Sequence, residues 1–231
     1  MVTQIILLSL LGGFLSLDRV CGQFMISRPL VTAPLVGVML GDAFTGLQVG
    51  ALLELFWIDK LPIGTCAPPN DFLVAFLAAA ASILAGQALG HVSRELLALA
   101  VLLFVPCGYL GQKLDHLIIQ SNDNIYDDIL RAAERGDLGG ISRKYLTGLI
   151  KHFVVHASLI PLFLSGGVTF LIYIFPLLTA PSLQALRLTF MALPLLGLAA
   201  ALNTINLKGA IPIFCALFLV LSLILDGFHA F

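Results

Sequence analysis

The chain has 231 residues, 59% of them hydrophobic and 11% charged, with a formal net charge of −1, and its mean hydropathy is +1.04. That composition excludes a water-soluble globular domain and a basic nucleic-acid-binding surface, and describes a chain whose outside faces lipid. A bilayer core about 30 Å thick takes roughly 20 apolar residues per helix, so the expectation is an all-α polytopic integral membrane protein, one membrane domain over 1–231, with about six to eight transmembrane or re-entrant helices and broken helices in the first half.

The first apolar segment lies near 2–17; within it Gln4–Leu17 could pass for a signal-peptide core, but no basic residue precedes it and no small-residue cleavage pattern follows, so it is kept as part of the fold. Residues 29–41 come next, bracketed by Arg28 and Asp42 and too short to span, which fits a re-entrant or broken helix. Gly37, Gly41, Gly46 and Gly50 recur every four or five residues and predict a bare backbone stripe on which short helices pack closely. Glu54 stands inside the apolar run 44–58. A carboxylate at membrane depth costs about 2.5 kcal/mol or more, so Glu54 needs either a structural ion pair, with Arg28 the candidate, or a wet cavity and a substrate or gating role. The run Leu61-Pro62-Ile63-Gly64-Thr65-Cys66-Ala67-Pro68-Pro69-Asn70-Asp71 cannot be helical throughout, so its backbone groups belong in a polar cavity. Asn70 and Asp71 open the next apolar segment, 72–90, where either could cap the helix or face a ligand. A further segment spans 94–112. Residues 1–112 are therefore the half in which a polar site is expected.

Six of the 12 Lys and Arg residues and six of the 13 acids fall within 113–151, which reads as the sizeable water-exposed connection and, by the distribution of basic residues, a cytoplasmic one. Within it 123–135 has the pattern of a separate surface helix, capped by Asn122 or Asp123 and ended by Gly136. Residues 152–231 carry segments near 146–178, 183–206 and 209–229, bent or divided by Pro161, Pro176, Pro181, Pro194 and Pro212, and read as scaffold. Cys21, Cys66, Cys107 and Cys215 stand singly and suggest small core residues rather than a zinc site or disulfides. His152 and His156 share a helix face; with no third ligand nearby in sequence they read as polar residues at the membrane edge, so no metal site and no cofactor are expected. Neither Gly-x-Ser-x-Gly nor His-Glu-x-x-His occurs, and an enzyme acting alone is not expected.

The residues Gln23-Phe24, Arg28-Pro29-Leu30, Pro34-Leu35-Val36-Gly37-Val38-Met39-Leu40-Gly41-Asp42, Thr45-Gly46, Gly50 and Leu53-Glu54-Leu55 resemble the membrane IIC subunit of the mannose/fructose/sorbose family of the bacterial phosphotransferase system. A weaker likeness continues through Ala132-Ala133-Glu134-Arg135-Gly136-Asp137-Leu138-Gly139-Gly140-Ile141. The resemblance implies a multi-pass permease of the bacterial cytoplasmic membrane, assembled with a IID membrane subunit and served by IIA and IIB proteins that phosphorylate a hexose-type sugar as it enters. It also implies that this chain does no phosphoryl transfer itself. On this reading Gln23, Glu54, Asn70 and Asp71 contact the sugar, with Asp18 and Asp42 weaker candidates. Arg28 serves for charge pairing, and Gly37, Gly41, Gly46, Gly50, Pro68 and Pro69 shape the backbone. The substrate-binding subunit of another small-molecule importer is the alternative, and the longer spacer between Asp18 and Arg28 and the double proline leave the sugar open.

Overall fold

A computed structural model describes residues 2–60 and 68–204, with positions 216 and 220. The expected last segment, 209–229, lies outside the described residues apart from those two, as do Pro212, Cys66, Cys215 and the 61–67 part of the proline-rich run. Among the described residues the chain is helical throughout: α1 (Val2–Ser16), α2 (Pro29–Leu40), α3 (Ala43–Phe56), α4 (Asp71–Leu89), α5 (Arg94–Glu134), α6 (Leu138–Ile174) and α7 (Ala180–Thr204), with 3-10 turns at Leu17–Arg19 and Phe175–Leu177. Five of these helices are long and apolar enough to cross a membrane, whereas α2 and α3 are not. The chain is a multi-pass membrane protein.

The centre is α4. An apolar helix with no polar stripe has to be surrounded by protein or lipid, and here protein surrounds it: 83% of its apolar window is buried, against 11% for α7. Phe72 and Phe76 are fully buried along it with Leu73 and Leu77, and α2, α3, α5 and α6 all pack around it. Asn70 caps its first turn by accepting a hydrogen bond from Leu73 N at 3.0 Å. Helix α7, by contrast, is little buried by the other described residues.

Helices α2 and α3 form a tight antiparallel pair. Pro29 occupies the first turn of α2, where its missing N–H costs nothing. Gly41 ends α2 at φ 83°, and Asp42 starts α3 by accepting from Thr45 N at 3.0 Å and Thr45 Oγ1 at 2.6 Å. A Cβ at Gly50 would lie 2.6 Å from the Pro29 carbonyl oxygen, and one at Gly46 would lie 3.1 Å from the Gly37 Cα. The predicted stripe is therefore a backbone-to-backbone contact, from which Gly41 is excluded: its role is the left-handed turn.

The charged segment 113–151 is not a loop. It is the end of one very long helix and the start of another, joined at Arg135–Asp137 with Gly136 at φ 68° and Asp137 capping α6 through Gly140 N at 2.9 Å. The helix expected to begin at Asp123 has no start of its own, because residues 112–123 contain no Pro or Gly to break α5. At 1.5 Å per residue, α5 and α6, of 41 and 37 residues, are about 62 and 56 Å long, roughly twice the bilayer core. The excess, where the charges collect, is a helical hairpin. Lys144–Asp128 at 2.5 Å and Lys151 to the Ser121 carbonyl at 3.2 Å link its two helices, and Arg131 lies 3.5 Å from Asp128 within α5. The prolines act unequally: Pro176 lies in the turn that separates α6 from α7, while Pro106, Pro161 and Pro194 remain within helices. Of the two described cysteines, Cys107 is buried as expected; Cys21 is exposed, with its sulfur accepting from Tyr145 Oη at 3.3 Å.

Candidate polar site at the start of helix α4

Five elements bring ionisable groups to the beginning of α4. Asp18 is 8% exposed and accepts from Phe24 N at 2.7 Å and from Ser27 N and Oγ at 3.1 Å. It thereby folds the loop after α1 back on itself and delivers Arg28 to the site. Gln23 lies in that loop at φ 52°, exposed, its N–H donating to the Asp18 carbonyl at 2.7 Å.

Arg28 meets Glu54 through two of its nitrogens, Nε at 2.8 Å and Nη2, both ending on Oε1. The other Glu54 oxygen accepts from Leu30 N at 3.2 Å, so this carboxylate also satisfies a free N–H in the first turn of α2. Arg28 Nη1 then lies 3.8 Å from Asp71 Oδ2, and Arg19 Nη1 stands 3.0 Å from Asp71 Oδ1 and 2.9 Å from Asn70 Oδ1. Asn70 Nδ2 continues the chain to Asp115 Oδ2 at 2.9 Å, and Asp115 Oδ1 is 3.5 Å from His156 Nε2. Carboxylates and guanidiniums thus alternate from Glu54 to Arg19, and the Asn70 amide carries the chain on to Asp115. Alternation is what makes charge at this depth tolerable, because each ion is solvated by its neighbours in place of water.

The most exposed members of the chain are Glu54 and Arg28, each 21% exposed, against 17% for Arg19, 14% for Asp115 and 13% for Asp71, while Asn70 is fully buried. Glu54, Asp71 and Arg28 together offer a row of carboxylate acceptors with a guanidinium donor between them, which suits a small polyhydroxylated ligand. Asn70 is occupied: its oxygen serves Arg19 and Leu73, and its amide serves Asp115.

Of the residues predicted from sequence, Glu54, Asp71, Asn70 and Arg28 come together, with Asp18 behind them. Asp42 does not. It caps α3 at the opposite end of α2 from Arg28, 12 residues or about 18 Å away. Pro68 and Pro69 are buried immediately before α4, the Pro69 carbonyl accepting from Asp71 N at 2.9 Å. Sequence reading missed Arg19 and Asp115. Arg19 had a signal, since a guanidinium closing an apolar helix needs an acid. Asp115 was hidden in the charged run, yet Gly108, Gly111 and Asp115 share one face of α5, and the two glycines contact Val74 and Asn70 on α4. His152 and His156 do not face outward: they are 5% and 1% exposed, packed inside among α1, α4 and α5.

The fold is similar to two solved membrane structures. One, described only as a membrane protein, superposes with a TM-score of 0.75 at 21% identity, covering 100% of this chain and 92% of that one. The other, the cryo-EM structure of the mannose transporter ManYZ with microcin E492, gives a TM-score of 0.62 at 21% identity over 96% of this chain and 87% of that one. In sequence, the mannose-specific EIIC component of the phosphotransferase system from Escherichia coli (strain K12) is 25% identical over 146 residues, 63% of this chain and 52% of that protein. The chain thus spans about half the length of such curated relatives. The family model for the sorbose-specific IIC component of the phosphotransferase system matches residues 2–226, nearly the whole sequence, and the chain belongs to that family.

Proposed function

We propose that this chain is the IIC permease subunit of a phosphoenolpyruvate-dependent sugar phosphotransferase system. It binds a hexose-type sugar in the bacterial cytoplasmic membrane and passes it inward, coupled to phosphorylation by IIA and IIB partners, in a complex with a IID membrane subunit. The observation that carries this reading is the partly exposed Glu54–Arg28–Asp71 row, set between the short α2–α3 helix pair and the start of α4, in a chain of this family. The sugar's hydroxyls donate to the carboxylates and accept from Arg28. Gln23, exposed in the neighbouring loop, is a further contact. Asn70 acts as a positioning residue that holds Arg19 and Asp115 in place.

The reading is tested with membrane vesicles containing this chain, a IID subunit, the cytoplasmic partners and labelled phosphoenolpyruvate. Sugar phosphate is expected only when this chain is present, and formation without it overturns the proposal. Among the described residues no hydrogen bond or ion pair joins a histidine to Glu54, Arg28 or Asp71, and of the described thiols Cys107 is buried and Cys21 accepts from the Tyr145 hydroxyl. Label is therefore expected on the partners and the sugar but not on this subunit. A phosphohistidine or phosphocysteine on this chain, lost on replacing that residue, defeats the permease-only mechanism.

The projecting α5–α6 hairpin carries Arg131, Arg135, Arg143 and Lys144, which under the positive-inside rule belongs in the cytoplasm. A cysteine at Gly139 is expected to react with a membrane-impermeant maleimide only in inside-out vesicles. Labelling in intact cells reverses the orientation.

A further inference from the structure

The inner end of the polar chain is left incomplete. Glu54, Asp71 and Asp115 supply three negative charges against the two of Arg19 and Arg28, and Asp18 is satisfied by N–H and hydroxyl donors. The surplus charge lies at Asp115. There, Asp115 Oδ1 and His152 Nε2 are both buried without a hydrogen-bond partner among the described residues. Native proteins seldom leave two such groups side by side.

His156 sharpens the point. Its Nδ1 is 3.1 Å from the His152 carbonyl oxygen, and a carbonyl can only accept, so Nδ1 carries the proton. In the neutral ring Nε2 is then a lone pair, aimed at Asp115 Oδ1 from 3.5 Å. Two lone pairs facing each other in a buried site need an electrophile between them. A proton shared by Asp115 and His156 answers for two of the three groups and leaves His152 Nε2 orphaned. One ion can engage all three.

We propose that Asp115, His152 and His156 bind a divalent transition-metal ion of the zinc and cobalt type. Two imidazoles and one carboxylate are a donor set that suits these ions and not sodium, calcium or magnesium. One ligand atom from each residue already lies within 4.8 Å of the others. The 3.5 Å edge between Asp115 and His156 is close to the edge of about 3.3 Å that metal–ligand bonds of 2.0–2.1 Å produce in a tetrahedron. The supporting contacts are those of a metal site as well: a backbone carbonyl fixes the His156 tautomer, and the Asn70 amide holds the second Asp115 oxygen at 2.9 Å. Through Asn70 the ion would tie α5 and α6 to the first turn of α4. The site rests on these contacts alone and stands whether or not the sugar reading does.

The test uses the full chain without a histidine tag, purified with any membrane subunit that accompanies it, stripped with chelator and titrated with Co²⁺ in the absence of sugar. Visible d–d absorption is expected to saturate at one ion per chain and to be displaced by Zn²⁺. His152→Gln, His156→Gln and Asp115→Asn are each expected to weaken Co²⁺ at least tenfold, about the smallest loss seen even for an outer-shell partner, while His91→Gln leaves it unchanged. Zn²⁺ is also expected to raise the Tm of the wild-type chain. No saturable signal at one equivalent, or binding undiminished in all three variants, overturns the site. If those variants fail to fold, the wild-type spectrum, stoichiometry and Tm still decide.

Discussion

Glu54→Gln is expected to insert, assemble and accumulate like the wild type, yet to lose at least tenfold in sugar uptake. The substitution is nearly isosteric. Its amide oxygen can still accept from Arg28 where Oε1 does now, while the amide NH2 that replaces Oε2 fills the same space but no longer accepts from Leu30 N. Besides that one hydrogen bond, what disappears is the negative charge, and with it one of the two carboxylates beside Arg28. Hydrogen bonds to an ionised acceptor are roughly twice as strong as neutral ones, so losing one charged contact to a hydroxyl is worth about 1.4 kcal/mol or more, a factor of ten. The measurement is initial uptake rate in vesicles set against the amount of protein in the membrane. A fully active Gln variant makes the pair structural. A variant that never accumulates shows that the charge is needed for folding, because Arg28 would then be left short of a partner at membrane depth.

What could be read from the sequence depended on whether a residue's local context and its three-dimensional context agree. The α2–α3 pair was legible because glycines every four or five residues have few explanations other than close packing, and Glu54 with Arg28 because opposite charges in apolar surroundings have to find each other. Spacing alone places Gly41 in the stripe; its position one residue before a capping Asp marks a turn instead. The α5–α6 hairpin is hard to read because its charge density resembles a loop, although nothing between Gln112 and Asp123 interrupts a helix. The same charge density hides Asp115, which stands among exposed acids in sequence while its side chain is only 14% exposed. His152 and His156 were visible as a pair, but their third neighbour comes from a different helix, 37 positions before His152. No local pattern contains that information.

The glycine stripe makes the other large prediction, since it sets how far Glu54 and Arg28 stand apart. Gly46→Ala places a methyl group against the Ala33 carbonyl, with the Gly37 Cα only 3.1 Å away, and both obstacles are backbone. Side chains can rotate out of the way; a helix axis cannot. Separating α2 from α3 costs about 1–3 kcal/mol, the usual range for overpacking, and Gly46→Leu should prevent accumulation altogether. Gly41→Ala is the control. Nothing lies within 4 Å of its added Cβ, so its only penalty is the left-handed backbone at φ 83°, about 1–2 kcal/mol, and it is borne by an exposed turn remote from the charges. Both alanine variants therefore lower the Tm in detergent, but their effects on function should diverge. In Gly46→Ala the first turn of α2, where Leu30 N donates to Glu54, shifts relative to α3, so uptake per molecule falls as well. In Gly41→Ala uptake per surviving molecule stays near wild type. Equal uptake losses in the two variants would mean that the stripe governs stability alone and that the Glu54–Arg28 spacing is set elsewhere.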